Sequence, residues 1–417
     1  MKKWKKRRIM GAVRRKRKVW QRLILGAMFL VGIFSGSVEK VTAVGEENVY
    51  LEHAGAVASR LVADESYYRL SEEQMAGLEL KSEKFYLYDL TDGREFYAAR
   101  ADERAAVASL TKMMTALVFL ENHPDTAELD QTITITGEML YTHEAYTRMG
   151  LTEGQVVTVR DMLYGLMLPS AADAANALAF YDAGSVEAFV MKMNQKVAEM
   201  GLMNTHFSNP YGMDEADTVM IYPNMAEPAN YSTARECEKI LERGLKNATF
   251  REIFEGFYYT TSYGEEIKKS ATTYVDGIAG LKTGYTAEAK RCLASNARID
   301  GKEFLLVNLG AEEVPDHLTD ATKIYNLVDE SFDAEVVAKA GEKVADVPIK
   351  WGKEEKYEVK LAEDVVVYTK REEVEQEVST EFQGVSEIAA GVLQGDEIGK
   401  VVVKRGEIVM AEVPVVL

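Results

Sequence analysis

Ser109-Leu110-Thr111-Lys112, Ser170 and Lys282-Thr283-Gly284 lie in that order along the chain. If they form one site, the fold must bring together a helix, a helix junction and a strand. Residues i and i+3 share a helix face, so Ser109 and Lys112 stand one turn apart. Val107 and Ala108 precede the pair, and Met113, Met114, Ala116, Leu117 and Leu120 follow it. That apolar surround predicts a buried helix over 109–122, ending before Pro124. Pro169 breaks the helical pattern of 159–168 just before Ser170, which predicts Ser170 on a loop at a helix junction. Gly280 to Thr286 reads as an exposed or edge strand, and Gly284 allows a ligand close to the backbone.

A serine hydroxyl is a weak nucleophile until a neighbour takes its proton, and lysine takes it only when neutral. Burial and a second cation both lower a lysine pKa, and Lys282 is the candidate second cation for Lys112. Lys282 and Thr283 side by side also suit a carboxylate, by charge and by hydrogen bond. Together the segments predict serine acyl transfer with lysine as the base. No Gly-x-Ser-x-Gly elbow occurs, and the histidines (53, 123, 143, 206 and 317) form no close-spaced pair. A histidine-dependent triad and a histidine metal site are therefore not expected, and neither is any other cofactor. Order and context carry the weight here. A second Ser-x-x-Lys, Ser37 to Lys40, stands at the edge of an apolar run without the other segments, whereas Lys-Thr-Gly occurs once.

The first 22 residues of the 417 hold 12 Lys or Arg and no acid, and Leu23 to Phe34 is continuously apolar. Val41-Thr42-Ala43 then offers small residues for cleavage. This predicts a signal peptide or an N-terminal anchor over 1–43, a variable leader over 44–80, and a catalytic part outside the cytoplasm. The chain is thus secreted or held by an N-terminal membrane tether. Residues 1–43 hold 13 of the 49 basic and one of the 67 acidic groups, so the remainder carries a net charge of −30. Such a surface repels nucleic acid, and no nucleic-acid partner is expected. Cys237 and Cys292 are too few for a disulfide framework and read as buried thiols.

Phe85 to Ala98 has the pattern of a hairpin around Thr91-Asp92-Gly93, and Gln131 to Thr136 alternates like a strand. Helices are expected over 186–200, capped by Ser185, and over 233–245, capped by Ser232. Glu303 to Leu309 is a strand suited to pair with Arg291 to Ile299. Strands bracketing helices predict an α+β domain over 81–331. After about residue 333 the pattern changes to short Val-rich strands (344–351, 357–361, 364–369, 374–380, 400–404 and 408–417), an all-β domain over 332–417.

These segments resemble the low-molecular-mass penicillin-binding proteins, the serine-type D-alanyl-D-alanine carboxypeptidases. The likeness rests on Ala108 to Thr115, Leu168 to Ala175, Asn204 to Asp214 and Asp276 to Thr286, and spans roughly residues 80–417. The resemblance implies a penicillin-binding/β-lactamase-like α+β catalytic domain, with an antiparallel sheet flanked by helices, followed by a small all-β domain. It implies removal of the terminal D-alanine from peptidoglycan stem peptides ending in D-Ala-D-Ala through an acyl-Ser109 intermediate, and acylation by β-lactams. Lys112 would be the base and Ser170 the proton relay. Lys282, Thr283 and Gly284 would line the substrate subsite, and the N–H groups of Ser109 and Tyr285 would form the oxyanion hole.

Three residues depart from that pattern, of which Val107, where relatives commonly carry Pro, is a structural change. Relatives carry Asn where this chain has Ala172, and an Arg where His317 is expected to meet the substrate carboxylate. A histidine holds a carboxylate less firmly at neutral pH. These departures keep a second reading open, a catalytically impaired penicillin-binding wall module. A β-lactamase is a third, which the appended β domain speaks against.

Overall fold

The computed structural model describes residues 69–270, 277–350, 355–361, 364–371, 378–389 and 396–416. The predicted signal segment and most of the leader lie outside the described residues. The first described helix, α1 (Glu72–Ala76), starts at a capping box in which Ser71 and Gln74 satisfy each other's backbone N–H. The hairpin follows as β1 (Lys84–Asp89) and β2 (Arg94–Ala99), paired antiparallel.

Next come α2 (Thr111–Asn122), β3 (Thr132–Thr134), β4 (Val156–Thr158), α3 (Val159–Met167), α4 (Ala172–Ala183) and α5 (Val186–Glu199). Thr158 and Asp161 form a capping box at α3, Gly184 ends α4 in the left-handed region, and Ser185 accepts from Ala188 N–H at α5, as predicted. Beyond α6 (Glu215–Ile221), α7 (Ala234–Leu245) is capped by Thr233, which accepts from Glu236 N–H. The expected cap, Ser232, instead shares a hydrogen bond with Thr205 Oγ1 at 2.7 Å while its backbone bridges Ala105. Adjacent Ser and Thr offer the same capping chemistry, and tertiary pairing removes one of them.

Then follow α8 (Ala248–Glu255), β5 (Tyr258–Thr260), β6 (Glu266–Lys268), β7 (Ile278–Thr286), β8 (Lys290–Ile299), β9 (Lys302–Ala311) and α9 (Asp316–Ser331). The main sheet has the order β2-β1-β9-β8-β7 and is antiparallel throughout, which leaves β7 at an edge. The β8–β9 pairing is the one expected from sequence, and closure of β1 on β9 joins opposite ends of this region.

Both faces of the sheet are covered, so central strands read as apolar runs such as Phe304-Leu305-Leu306-Val307. Leu305, Val307 and Leu309 face a core shared with α2, α3, α4 and α7. Phe304 and Leu306 face the opposite core, with Ile324 and Val328 of α9. Asp320 on α9 accepts from Ser82 N–H and Ser82 Oγ at 2.7 and 2.8 Å, fixing that helix against the start of β1.

From β10 (Phe332–Ala338) onward the described chain is strands: β11 (Lys343–Pro348), β12 (Lys356–Lys360), β13 (Val365–Lys370), β14 (Val378–Gly384), β15 (Glu397–Arg405) and β16 (Ile408–Val416). β10, a strand the sequence reading missed, pairs with β13. It starts directly at the end of α9 with no turn residue to announce it. Phe96 and Phe304 of the main sheet pack with Phe332 and Tyr368, so the second core runs continuously into the C-terminal strands. Among the described residues no helix is long and apolar enough to cross a membrane.

Candidate active site

Ser109 sits in a 3-10 turn (Ala108–Leu110) that runs straight into α2. Ala108 adopts φ +45°, a left-handed conformation that costs a non-glycine residue about 1–3 kcal/mol. Two glycines crowd this turn. A Cβ on Gly212, itself at φ +90°, would lie 1.9 Å from the Ala108 carbonyl oxygen, and one on Gly284 would lie 3.0 Å from Ser109 N. The loop at 212 and the edge strand β7 therefore clamp the turn that carries Ser109 from two sides, with room for hydrogen alone at Gly212 and a tight fit at Gly284.

Lys112 is 1% exposed. Its Nζ lies 2.9 Å from Ser109 Oγ and donates to the Tyr211 carbonyl at 2.7 Å. Burial pushes its pKa well below the ordinary lysine value, and the charge of Lys282 pushes it further, while Asp173 opposes. The lysine is thereby readied to act as a neutral base.

The Tyr211 carbonyl is presented by the Asn204–Asp214 loop. Asn209 Oδ1 accepts from Gly212 N–H and Met213 N–H at 2.7 and 3.0 Å. Asn230 Oδ1 accepts from Ser208 N–H at 2.6 Å, and its Nδ2 donates to Thr111 Oγ1 on α2. Thr115 Oγ1 also donates to the Pro210 carbonyl at 2.6 Å. The loop is thus tied to the helix that follows Ser109 just before Tyr211, and Asn209 holds the residues just after it. None of these contacts was read from sequence; only the turn-rich run Asn209-Pro210-Tyr211-Gly212 hinted at them.

Ser170 lies between α3 and α4 at φ +67° and is 9% exposed. Lys282 Nζ donates to Ser170 Oγ at 2.7 Å and to the Thr283 carbonyl at 2.9 Å. Burial lowers the Lys282 pKa to about 7, helped by the nearby charge of Lys269. Lys269 is itself lowered to about 7 by burial and donates to the Phe254 carbonyl, an arrangement that sequence reasoning also missed. Lys112, Lys282 and Lys269 thus form a chain of buried amines in which a charge on one disfavours a charge on the next.

Position 172 holds no amide. Ala172 is fully buried, and its N–H donates to the Thr147 carbonyl. Asn176, one turn on, donates to the Tyr141 carbonyl and accepts from Tyr222 OH, so it does not reach Lys112. Among the described residues, the Tyr211 carbonyl is what holds the lysine.

Thr283 and Tyr285 alternate with Lys282 along β7 and face the other side of the edge strand. Thr283 Oγ1 lies 3.4 Å from Ser270 Oγ, and Tyr285 is 54% exposed.

His317 is the residue expected at the substrate carboxylate. It occupies the first turn of α9 at 5% exposure, with Nδ1 buried and unpartnered. Burial, then the charge of Arg291, push its pKa down to about 4. A histidine held neutral brings no charge to a carboxylate. Cys237 and Cys292 are free and buried, with thiols pushed up to about 12 by burial, so neither is a second nucleophile. Among the described residues no His, Cys, Asp and Glu side chains group as a metal site.

Two serines, each bonded to a buried lysine, beside an edge strand that carries the Thr283 hydroxyl, are an arrangement suited to acyl transfer. The chain as a whole is similar to known proteins. Residues 70–313 match the D-alanyl-D-alanine carboxypeptidase family of peptidases, and residues 332–417 match the C-terminal domain of penicillin-binding protein 5. The D-alanyl-D-alanine carboxypeptidase DacF of Bacillus subtilis is 31% identical over 341 residues, covering 79% of this chain and 83% of that one. A D-alanyl-D-alanine carboxypeptidase of a Streptomyces species is 35% identical over 56% of this chain and 82% of its own length.

Among solved structures, the DD-transpeptidase of Streptomyces K15 superposes with a TM-score of 0.52 at 33% identity, over 60% of this chain and 97% of that one. A peptidoglycan synthesis regulatory factor (PBP3) of Streptococcus pneumoniae shares the fold with a TM-score of 0.67 at 20% identity, over 81% of this chain and 98% of that one. The α+β fold with an all-β C-terminal part is therefore the penicillin-binding fold, and the relatives favour hydrolysis over the impaired wall module. The chain belongs to the D-alanyl-D-alanine carboxypeptidase family of serine peptidases.

Proposed function

We propose that this D-alanyl-D-alanine carboxypeptidase works through Ser109 as nucleophile and Lys112 as general base. The observation that carries the assignment is the 2.9 Å approach of a buried, pKa-lowered Lys112 Nζ to Ser109 Oγ. Ser109 Oγ attacks the carbonyl of the penultimate D-alanine of a stem peptide as its proton passes to Lys112. The N–H groups of Ser109 and Tyr285 receive the developing oxyanion, a placement favoured by the close packing of Gly284 on Ser109 N. Ser170, bonded to Lys282, passes a proton to the leaving amine, the C–N bond breaks, and D-alanine departs. Water, activated by the same lysine, then hydrolyses the ester. Lys282 and Thr283 hold the terminal carboxylate of the peptide. A β-lactam enters the same sequence and leaves a penicilloyl ester on Ser109.

The domain division at 331/332 is part of the same reading, as is export. The basic front and apolar run of residues 1–43 would carry the catalytic part outside the cytoplasm, released by cleavage or held by a tether. A fluorescent penicillin tests the nucleophile. The account expects a label that peptide mass spectrometry locates on Ser109. A label elsewhere, or labelling that persists in Ser109→Ala, would overturn the assignment.

A further inference from the structure

A carboxylate subsite needs a cation that stays charged across the working pH range. Lys282 has its pKa near 7 and is already engaged with Ser170, and His317 is neutral. Two further cations stand at the start of β8: Lys290, already paired with Glu83 and Glu312, and Arg291. Arg291 lies directly opposite Tyr285 in the β7–β8 ladder, and its guanidinium carbon stands 3.9 Å from the Tyr285 ring centroid. Arg291 makes no ion pair or hydrogen bond among the described residues, and its Nε is buried without a partner. Leaving a buried donor unmade is unfavourable, so a guanidinium in this state is one that waits for an anion.

The ladder also fixes its reach. Thr283 pairs with Leu293, which makes Arg291 the diagonal neighbour of Thr283 on the same sheet face. Diagonal neighbours lie about 7–8 Å apart, within the span of an arginine side chain. Because β7 is the edge strand, the Thr283 hydroxyl and the Arg291 guanidinium both stand beside the lip of the cleft that Lys282 lines from the other face. Guanidinium is planar, always charged and shaped for a carboxylate.

We propose that Arg291 is the specificity-determining cation of this carboxypeptidase, binding the terminal carboxylate of the D-Ala-D-Ala peptide beside Thr283. The proposal rests on reading Lys282-Thr283 as the carboxylate subsite. Tyr285 serves as the platform that holds the guanidinium in place, and its hydroxyl-bearing ring is exposed enough for ligand to reach the stacked pair.

The test compares two peptides on the full chain: diacetyl-Lys-D-Ala-D-Ala and the same peptide ending in a carboxamide. Wild type should prefer the free acid. Arg291→Leu should lower kcat/KM for the acid by roughly 10- to 100-fold, mainly through KM, the size expected for losing a charge-assisted hydrogen bond. The amide peptide should change less than threefold, so the acid-to-amide preference collapses. Arg291→Lys should restore part of that preference. Lys290→Gln, which removes the neighbouring charge already paired with Glu83 and Glu312, should leave it intact.

An Arg291→Leu protein that loses both peptides equally, or keeps the wild-type preference, would overturn the proposal. A wild type that cleaves both peptides equally would instead refute the carboxylate subsite itself. The amide peptide also reports whether each variant is folded, since its cleavage needs the same nucleophile.

Discussion

Around Ser109 the interior holds two lysines at 1% exposure, a serine and an alanine at positive φ, and glycines pressed against backbone. Beyond residue 332 the interior is Val347, Val359, Val367, Val401, Val403 and Met410, and most charges pair at the surface. Arg405 is the exception, buried but bonded to Glu335. The first region buries groups that prefer water and keeps backbone in costly conformations. The second buries apolar area at no such penalty. The difference separates two kinds of residue: those whose burial prepares a reaction at the expense of stability, and those whose burial supplies the stability.

Replacement of the base should give the largest effect. Lys112→Met should cut D-alanine release by about 10²–10⁴ while leaving the unfolding temperature unchanged or higher, because a buried amine gives way to an apolar side chain of similar length. A variant that keeps most of its activity but melts several degrees lower would erase the contrast between the regions. Gly212→Ala should fail on both counts, losing on the order of 3 kcal/mol in urea unfolding together with most activity, since its Cβ would overlap the Ala108 carbonyl. If it melts early yet acylates normally, the clamp on the nucleophile turn is not needed for reaction.

Met410→Ala probes the other side. It should cost about 2–5 kcal/mol of stability, with kcat/KM unchanged well below the melting temperature. A fall in kcat/KM without a fall in stability would show that the C-terminal strands take part in catalysis.

Lys282→Ala should shift the pH profile in a specific direction, apart from the loss of rate that its contact with Ser170 implies. The Lys282 charge disfavours protonated Lys112, so removing it raises the Lys112 pKa. The acid limb of the kcat/KM profile, where Lys112 loses its proton, should therefore move to higher pH, whatever happens to the maximum rate. A limb that stays in place would mean that burial alone prepares the base.

The Ser109–Lys112 contact, the position of Ser170 at a helix junction and the edge strand were legible because each depends on short-range chemistry: an i, i+3 pair on an apolar helix, a proline-ended helix, a glycine after Lys-Thr. The β1–β2 hairpin and the β8–β9 pair were legible for the same reason, being close in sequence. What escaped depends on distant segments meeting. The Tyr211 carbonyl that holds Lys112 belongs to a backbone group, which no residue-type motif reports. The need for glycine at 212 arises from contact with Ala108, far away in sequence. Arg291 acquires its meaning only from the register that sets it opposite Tyr285, and the burial of His317 is something its own neighbours in the sequence do not reveal.

The central claim is that Ser109, prepared by Lys112, hydrolyses the D-Ala-D-Ala bond. D-alanine released from diacetyl-Lys-D-Ala-D-Ala by the purified full chain, measured beside Ser109→Ala, tests it most directly. The account predicts turnover by the wild type and none above background in the variant. Equal release by both proteins, or none by the wild type while penicillin still labels Ser109, would contradict it.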